Sequence, residues 1–324
     1  MKILSFSIAV TALFCLTVVG SLRADDQAPA SQRTFASPSE ATNALLRAAD
    51  AHDRQAMHEI FGPEITNLMT GDKALDEKHF NSFARALTEK CDIARDDNGA
   101  ITLEIGTNGW IFPIPLIQTN GVWIFDTLAG EDEIINRHIG RDEFYAIGVC
   151  RAYVKAQREY AARLVSSGQP QIYARRFKSE PGKMDGLYWD TQSGAQPSPL
   201  SALVAAAYCE GYNWSSSERP KPFHGYFFKI LTRQGPDAPG GAKDYVHHGE
   251  MSDGFALVAY PVRWGESGIM TFIVNGDGAV YQANLGEKTF RIASRMKSYN
   301  PDKNWAVVQD EGISDLSEAG TPPR

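Results

Sequence analysis

Asp126 closes a short apolar run, Val122-Trp123-Ile124-Phe125, and is read beside Trp110. A carboxylate among aromatic rings is one way to make a general base, because an apolar surround disfavours the charged form. The competing reading is that Asp126 caps the next helix and the aromatics are core. Glu131, Asp132 and Glu133 suit the first turn of that helix through its dipole. A second constellation is Asp185-Gly-Leu-Tyr188-Trp189-Asp190. Tyrosine and tryptophan in a loop can recognise a partner or a sugar, unless the loop is tucked over the core. Trp110, Trp123, Tyr188 and Trp189 are thus the candidate ligand-binding residues. Asp126 is the one catalytic candidate, and no complete catalytic constellation accompanies it.

Other chemistry-bearing types lack the spacing their chemistry needs. His247-His248 with Glu250 is a fragment of a metal site without HExxH spacing, and adjacent histidines in a loop point apart. Asn275-Gly-Asp-Gly278 lacks the acid spacing of a calcium loop and reads as a tight hairpin turn. Ser198 and Ser267 lie in no GxSxG context. Cys91, Cys150 and Cys209 form no CxxC pair; an oxidising compartment would permit one disulfide among them, and Cys150 reads as a buried apolar thiol. No glycine-rich phosphate loop follows a strand. The expectation is therefore no metal and no cofactor.

Charge and the N-terminus bound the partners. The chain has 324 residues, with 39 Asp and Glu against 32 Lys and Arg. Its densest basic cluster, Arg175-Arg176 with Lys178, reads as a solvated loop. Without a basic stripe the chain is a poor nucleic-acid binder, since phosphate contacts need clustered cations. Met1-Lys2 is followed by an uncharged run to Leu22, and Ala24 offers a small residue at a cleavage site. This is the pattern of a secretory signal over 1–24, with a retained anchor as the alternative. No later segment is apolar enough to span a membrane. The expected setting is periplasmic or secreted, with an envelope protein or cell-wall component as partner.

The elements that must position these residues follow from periodicity. After a polar leader (25–34), Ser37-Pro38-Ser39-Glu40 opens a helix with a capping box. Asp53 caps a second helix, 54–61, ended by Gly62. A third is read from about 74 to 94, with Phe80, Phe83 and Leu87 at helical spacing. Strands follow at 101–105 and 122–126, joined through an irregular 110–117 segment with two prolines and an Asn120-Gly121 hairpin turn. The Trp123 and Phe125 face is expected to pack on the helices carrying Leu45, Phe80 and Phe83. Helical stretches are read at 131–138 and 142–164, and a short one at 200–209. Strands recur at 226–232, 255–262, 270–275 and 280–283. The order is α+β rather than alternating βαβ. It divides into an N-terminal α+β unit (35–166), a loop-rich connector (167–215), a C-terminal antiparallel β-rich unit (216–307) and a disordered tail (308–324).

Gly109-Trp-Ile-Phe-Pro-Ile-Pro115, Gly121-Val-Trp-Ile-Phe-Asp-Thr-Leu-Ala-Gly130, Ala152-Tyr-Val-Lys-Ala-Gln-Arg-Glu-Tyr160, Asp185-Gly-Leu-Tyr-Trp189, Gly225-Tyr-Phe-Phe-Lys-Ile-Leu-Thr-Arg-Gln-Gly235 and Gly268-Ile-Met-Thr-Phe-Ile-Val-Asn275 are long and specific. Through them the chain resembles the exported bacterial proteins grouped as domain of unknown function 2950, over roughly residues 35–306. The resemblance implies export and supplies no catalytic residue. At the level of shape, the N-terminal unit resembles the cone of nuclear-transport-factor-2-like (NTF2-like) proteins, and the C-terminal unit resembles the antiparallel sheet of pilin-type modules.

These readings converge on a non-enzymatic envelope binding or assembly module. The alternatives are a pocketed enzyme using Asp126 on a small apolar substrate, or a carbohydrate-binding cell-wall factor using Tyr188 and Trp189. Cell fractionation with N-terminal sequencing should find a mature form beginning near Asp25; recovery of the full-length chain alone, in the membrane fraction, would exclude cleavage.

Overall fold

The computed structural model describes residues 32–69, 73–95, 101–190, 196–204 and 221–309. The signal segment, most of the polar leader and residues 310–324 of the expected tail lie outside them. The chain divides into two units at Glu131–Asp132.

The first unit begins as the capping chemistry dictates. In α1 (Pro38–Asp50), the Ser37 hydroxyl accepts from the Glu40 amide at 3.1 Å, and the Glu40 carboxylate takes the Ala36 amide at 2.9 Å. In α2 (Arg54–Phe61), Asp53 accepts from Ala56 N at 2.9 Å, and Gly62, at φ 77°, ends the helix. α3 covers Lys73–Glu89. It stops five residues short of the expected end, because Cys91–Arg95 pairs antiparallel with its neighbour as strand β1. Helical spacing upstream masked this edge strand, whose register is set by its partner and not by its own pattern.

Strands β2 (Ile101–Ile105), β3 (Trp110–Ile111), β4 (Leu116–Thr119) and β5 (Val122–Phe125) complete an antiparallel sheet of order β1-β2-β4-β5, with β3 on β2. Asn120 and Gly121 have φ of 50° and 81°, the left-handed pair of a type I′ turn, and Thr119 pairs with Val122 across it. The Trp123 and Phe125 face is a core face, as expected. Phe125 is fully buried, with the rings of Phe61, Phe112 and Phe35 at 5.1, 6.3 and 6.4 Å. Trp123 is half-buried at the margin of the same core as Leu45, Phe80 and Phe83. The end of the leader is fastened down: Gln32 donates to the carbonyls of Ile60 and Phe125 at 3.0 and 2.7 Å.

Helix α4 (Thr127–Ser166) is continuous where two helical stretches were expected. Gly140 does not break it, because an exposed helical glycine costs only about 1 kcal/mol and neighbouring turns carry that cost. The chain divides at Glu131–Asp132, within α4, where the N-terminal unit was expected to run to 166. Cys150, Tyr153, Val154 and Tyr160 of α4 share one core with the C-terminal sheet, not with the first unit. Ala174, Leu187 and Leu200 of the supposed connector join that core too. Within 200–209 only residues 201–204 are described as helical.

The second unit's main sheet consists of β6 (Tyr226–Leu231), β11 (Ala256–Pro261), β12 (Met270–Asn275), β13 (Val280–Asn284) and β15 (Ala306–Val307), antiparallel in the order β15-β13-β12-β11-β6. Val308, expected to open the tail, still donates to Val280 O at 2.9 Å. Between β6 and β11 come β7 (Arg233–Gln234), β8 (Lys243–Asp244), β9 (Val246–His247) and β10 (Glu250–Met251). After β13 a short helix α5 (Thr289–Ala293) leads to β14 (Ser298–Tyr299), which pairs parallel with β7. α4 covers one face of the main sheet. Lys229 of β6 points to the other, donating to Ser294 O and Met296 O at 2.6 and 2.8 Å behind α5.

Two glycines of α4 should respond oppositely to alanine. A Cβ on Gly130 would lie 2.4 Å from Ile114 Cγ1 and 3.1 Å from its Cα, whereas one on Gly140 would meet nothing within 4 Å. Gly140→Ala is expected to stabilise by about 0.5–1 kcal/mol through helix propensity. Gly130→Ala is expected to destabilise by about 1–3 kcal/mol through overpacking. Urea midpoints of the two variants check both signs.

Candidate functional site

The structure separates the residues singled out by sequence. Asp126 is the N-cap of α4: its carboxylate accepts from Ala129 N at 3.0 Å, and its own amide donates to Pro115 O at 2.9 Å. Trp110 sits on the short strand β3, 40% exposed, with its ring 6.1 Å from Phe112. Tyr188 and Trp189, read either as a recognition loop or as a loop tucked over the core, are buried over the second core. The Tyr188 hydroxyl donates to Asp190 at 2.7 Å, and the Trp189 indole donates to Gln196 O at 3.3 Å. Their loop returns close to itself: a Cβ on Gly186 would lie 2.8 Å from the backbone of Lys178 and Ser179. The sugar platform read from sequence therefore has little surface to offer.

The remaining candidates take structural places. His247 pairs with Glu250 across a two-residue turn, His248 and Gly249 having φ of 50° and 86°. His247 Nε2 lies 3.2 Å from the Asp253 carboxylate. Among the described residues, no group of three or more His, Cys, Asp or Glu side chains comes together as a metal cage. Ser198 shares its hydroxyl with Ser201 at 2.8 Å, and Ser267 closes a turn on Arg263. The basic cluster is dispersed, with Arg175 on Gly249 O and Arg176 on Glu180. Cys150 is a buried thiol whose pKa burial pushes up to about 12. Cys91 is half-buried and free; Cys209 lies outside the described residues.

What the fold does assemble is a polar cleft of about 290 Å³ at one rim of the second unit. One wall is the turn between β12 and β13. There Asn275, buried, uses both ends of its carboxamide on Asp277, at 3.0 Å to the carboxylate and 3.1 Å from the amide. Arg158 of α4 reaches this turn and donates to Gly276 O at 2.7 Å. The opposite wall is the segment around Tyr245, with Lys243 5.8 Å above its ring. Gly254, at φ 142°, packs so close to that ring that a Cβ would fall 2.8 Å from Tyr245 Cε1. Beneath lies Gln234, whose amide donates to Pro239 O and Gly241 O and whose carbonyl accepts from the Tyr245 hydroxyl at 2.8 Å. Tyr173 supplies an apolar side, its ring 4.7 Å from Phe255. Sequence reasoning recognised the Asn275 turn as a turn but not as a wall. No local spacing unites residues 158, 173, 243, 253 and 277.

A second charged feature lies along the same helix. Glu143 accepts from the amides of Ile269 and Met270 at 2.8 and 2.9 Å, tying α4 to the start of β12. Beside it Asp142 is buried, one oxygen so close to Gly225 that a Cβ there would fall 2.4 Å away. Burial raises the Asp142 pKa above the ordinary 3.8, against the opposing pull of His138 and Arg141.

Element order and cleft together define an α+β protein of two units, the second carrying a polar cleft between a β-turn and a long helix. The chain belongs to the family described as Protein of unknown function (DUF2950), whose model matches residues 32–308. No curated protein and no solved structure matches it.

Asp142 yields a pH test. A raised folded pKa contributes stability that is fully present below the unfolded value and is lost as pH rises through the folded value. Asp142→Asn keeps the uncharged shape at every pH. It should therefore be more stable than the parent at pH 7, with the difference shrinking as pH falls towards 3.8. Urea midpoints at several pH values measure this; a variant less stable at pH 7 would show that the charged carboxylate is needed there.

Proposed function

We propose that this protein is an exported envelope module that binds a small polar ligand in the Arg158–Asp277 cleft, and that it is not an enzyme. The observation carrying this reading is how the cleft is built. Its walls are held by buried side chains with filled hydrogen bonds, Gln234 and Asn275, so its shape exists before any ligand arrives. Preorganisation of this kind lowers the ordering cost of binding. Its volume, about 290 Å³, falls just below the roughly 300–1,000 Å³ usual for small-molecule sites, which limits it to one ring-sized group. The charged groups at its rim are engaged with neighbours: Arg158 with a carbonyl, Asp277 with an amide, Asp253 with His247. That engagement suits recognition better than proton abstraction, which needs a base aimed at a reacting atom. Export rests on the signal-like first 24 residues. No helix among the described residues is long and apolar enough to cross a membrane.

Native mass spectrometry of the purified protein, incubated with the low-molecular-mass fraction of envelope extract, tests the reading. A one-to-one adduct is expected, lost in Tyr173→Ala, with the extract otherwise unchanged. Steady consumption of an extract component by the protein would replace the binding module with an enzyme.

A further inference from the structure

Taking the cleft as the binding site proposed above, we infer that its ligand is a neutral, hydroxyl-rich ring, a saccharide unit, and neither an anion nor a cation. The rim presents two cations, Arg158 and Lys243, and two carboxylates, Asp253 and Asp277. They are interleaved and not segregated. Arg158 and Asp277 meet on the β12–β13 turn, through the Arg158 bond to Gly276 O. Lys243 and Asp253 flank Tyr245, the first over its ring and the other next to Gly254, which packs on that ring. A free anion would gain from one cation on each wall and be repelled by the acid beside it; a free cation meets the mirror situation. Charge therefore selects neither.

The hydrogen-bonding groups that remain form a mosaic of donors and acceptors. Asp277 Oδ2 holds the Asn275 amide, and carboxylate oxygens each accept more than one bond. The Arg158 guanidinium spends Nη2 on the turn and keeps other N–H donors; the Lys243 ammonium brings three. Asp253 has its oxygens turned to His247 and to the Ser252 hydroxyl. A hydroxyl group both donates and accepts, so a ring with several hydroxyls satisfies such a mosaic without leaving a charge desolvated. Tyr173 adds the apolar side against which the C–H face of a sugar ring can rest. A saccharide is thus assigned to residues 158, 173, 243 and 277, and not to the buried pair Tyr188 and Trp189.

The test is an NMR titration of the purified protein with three probes: N,N′-diacetylchitobiose (neutral; chitobiose below), digalacturonate (anionic) and spermidine (cationic). Chitobiose is expected to shift the amides of Gly254, Gly276 and Gly278. Asp277→Ala should weaken it about tenfold, as for loss of one hydrogen bond to a charged group. Asp277→Asn, which keeps an acceptor and the turn but not the charge, should bind chitobiose within about threefold of the parent, since an amide carbonyl still accepts. Shifts at these glycines with digalacturonate alone would overturn the neutrality of the ligand, and with spermidine alone the saccharide itself; either leaves the binding module standing. Abolition of chitobiose binding by Asp277→Asn, in a variant with an unchanged amide spectrum, would show that the carboxylate charge itself holds the ligand and would overturn recognition by a charge-balanced mosaic. No shift at these glycines with any probe would overturn both readings.

Discussion

One buried side chain ties the second unit together. Gln157 of α4, fully buried, donates to Ala174 O at 2.7 Å and accepts from Ala174 N at 2.8 Å, so its carboxamide pairs with that residue as a neighbouring strand would. Its amide also reaches the Tyr153 hydroxyl at 3.0 Å, and that hydroxyl donates to Ala256 O on β11 at 3.2 Å. Helix, connector and sheet are thereby joined through groups that would each cost about 1–3 kcal/mol if left unsatisfied in the core. A network of this kind specifies one arrangement, because any slip of the helix strands several polar groups at once.

The cleft inherits its geometry from this fastening. Arg158 follows Gln157, and Tyr173 precedes Ala174, so the residues on either side of the buried bonds become parts of the rim. Tyr173 is further pinned by its amide on Met251 O at 2.8 Å. At the other end Glu143 clamps the helix to the start of β12, while Arg158 clamps it to the turn after β12. Fifteen helical residues rise about 22 Å. The strand from Met270 to Gly276 covers about 20 Å. The helix and its strand are matched in length, so both clamps close without bending either element. The position of Arg158 over the Asn275 turn is a consequence of that match.

Local chemistry was readable where it acts over a few residues. The Ser37 cap, the Asp53 cap, the Asn120-Gly121 turn and strands β2, β5, β6, β11, β12 and β13 all arise from short-range pattern, and the structure has them within a residue or two of expectation. The misreadings share a cause. β1 is an edge strand with little alternation of its own and exists because β2 pairs with it. The break expected near Gly140 is absent because packing of the following turns outweighs a glycine's propensity. Tyr188 and Trp189 stayed open between a recognition loop and a loop tucked over the core, because loop aromatics carry no mark of which side faces the core.

The amino-acid sequence by itself determined the α+β class, the caps and turns, and the family, since these reside in neighbouring residues and long contiguous motifs. It also limited Asp126 to two roles, and the cap was one of them. Only the tertiary structure decided that α4 shares its core with the C-terminal sheet, and only it brought residues 158, 173, 243, 253 and 277 around one cleft. The reason is physical: these residues come from five segments with no common period. They meet because Gln157 and Asn275 satisfy their buried polar groups, and Glu143 its half-buried carboxylate, in one arrangement of helix and sheet, and that requirement acts across more than a hundred residues of chain.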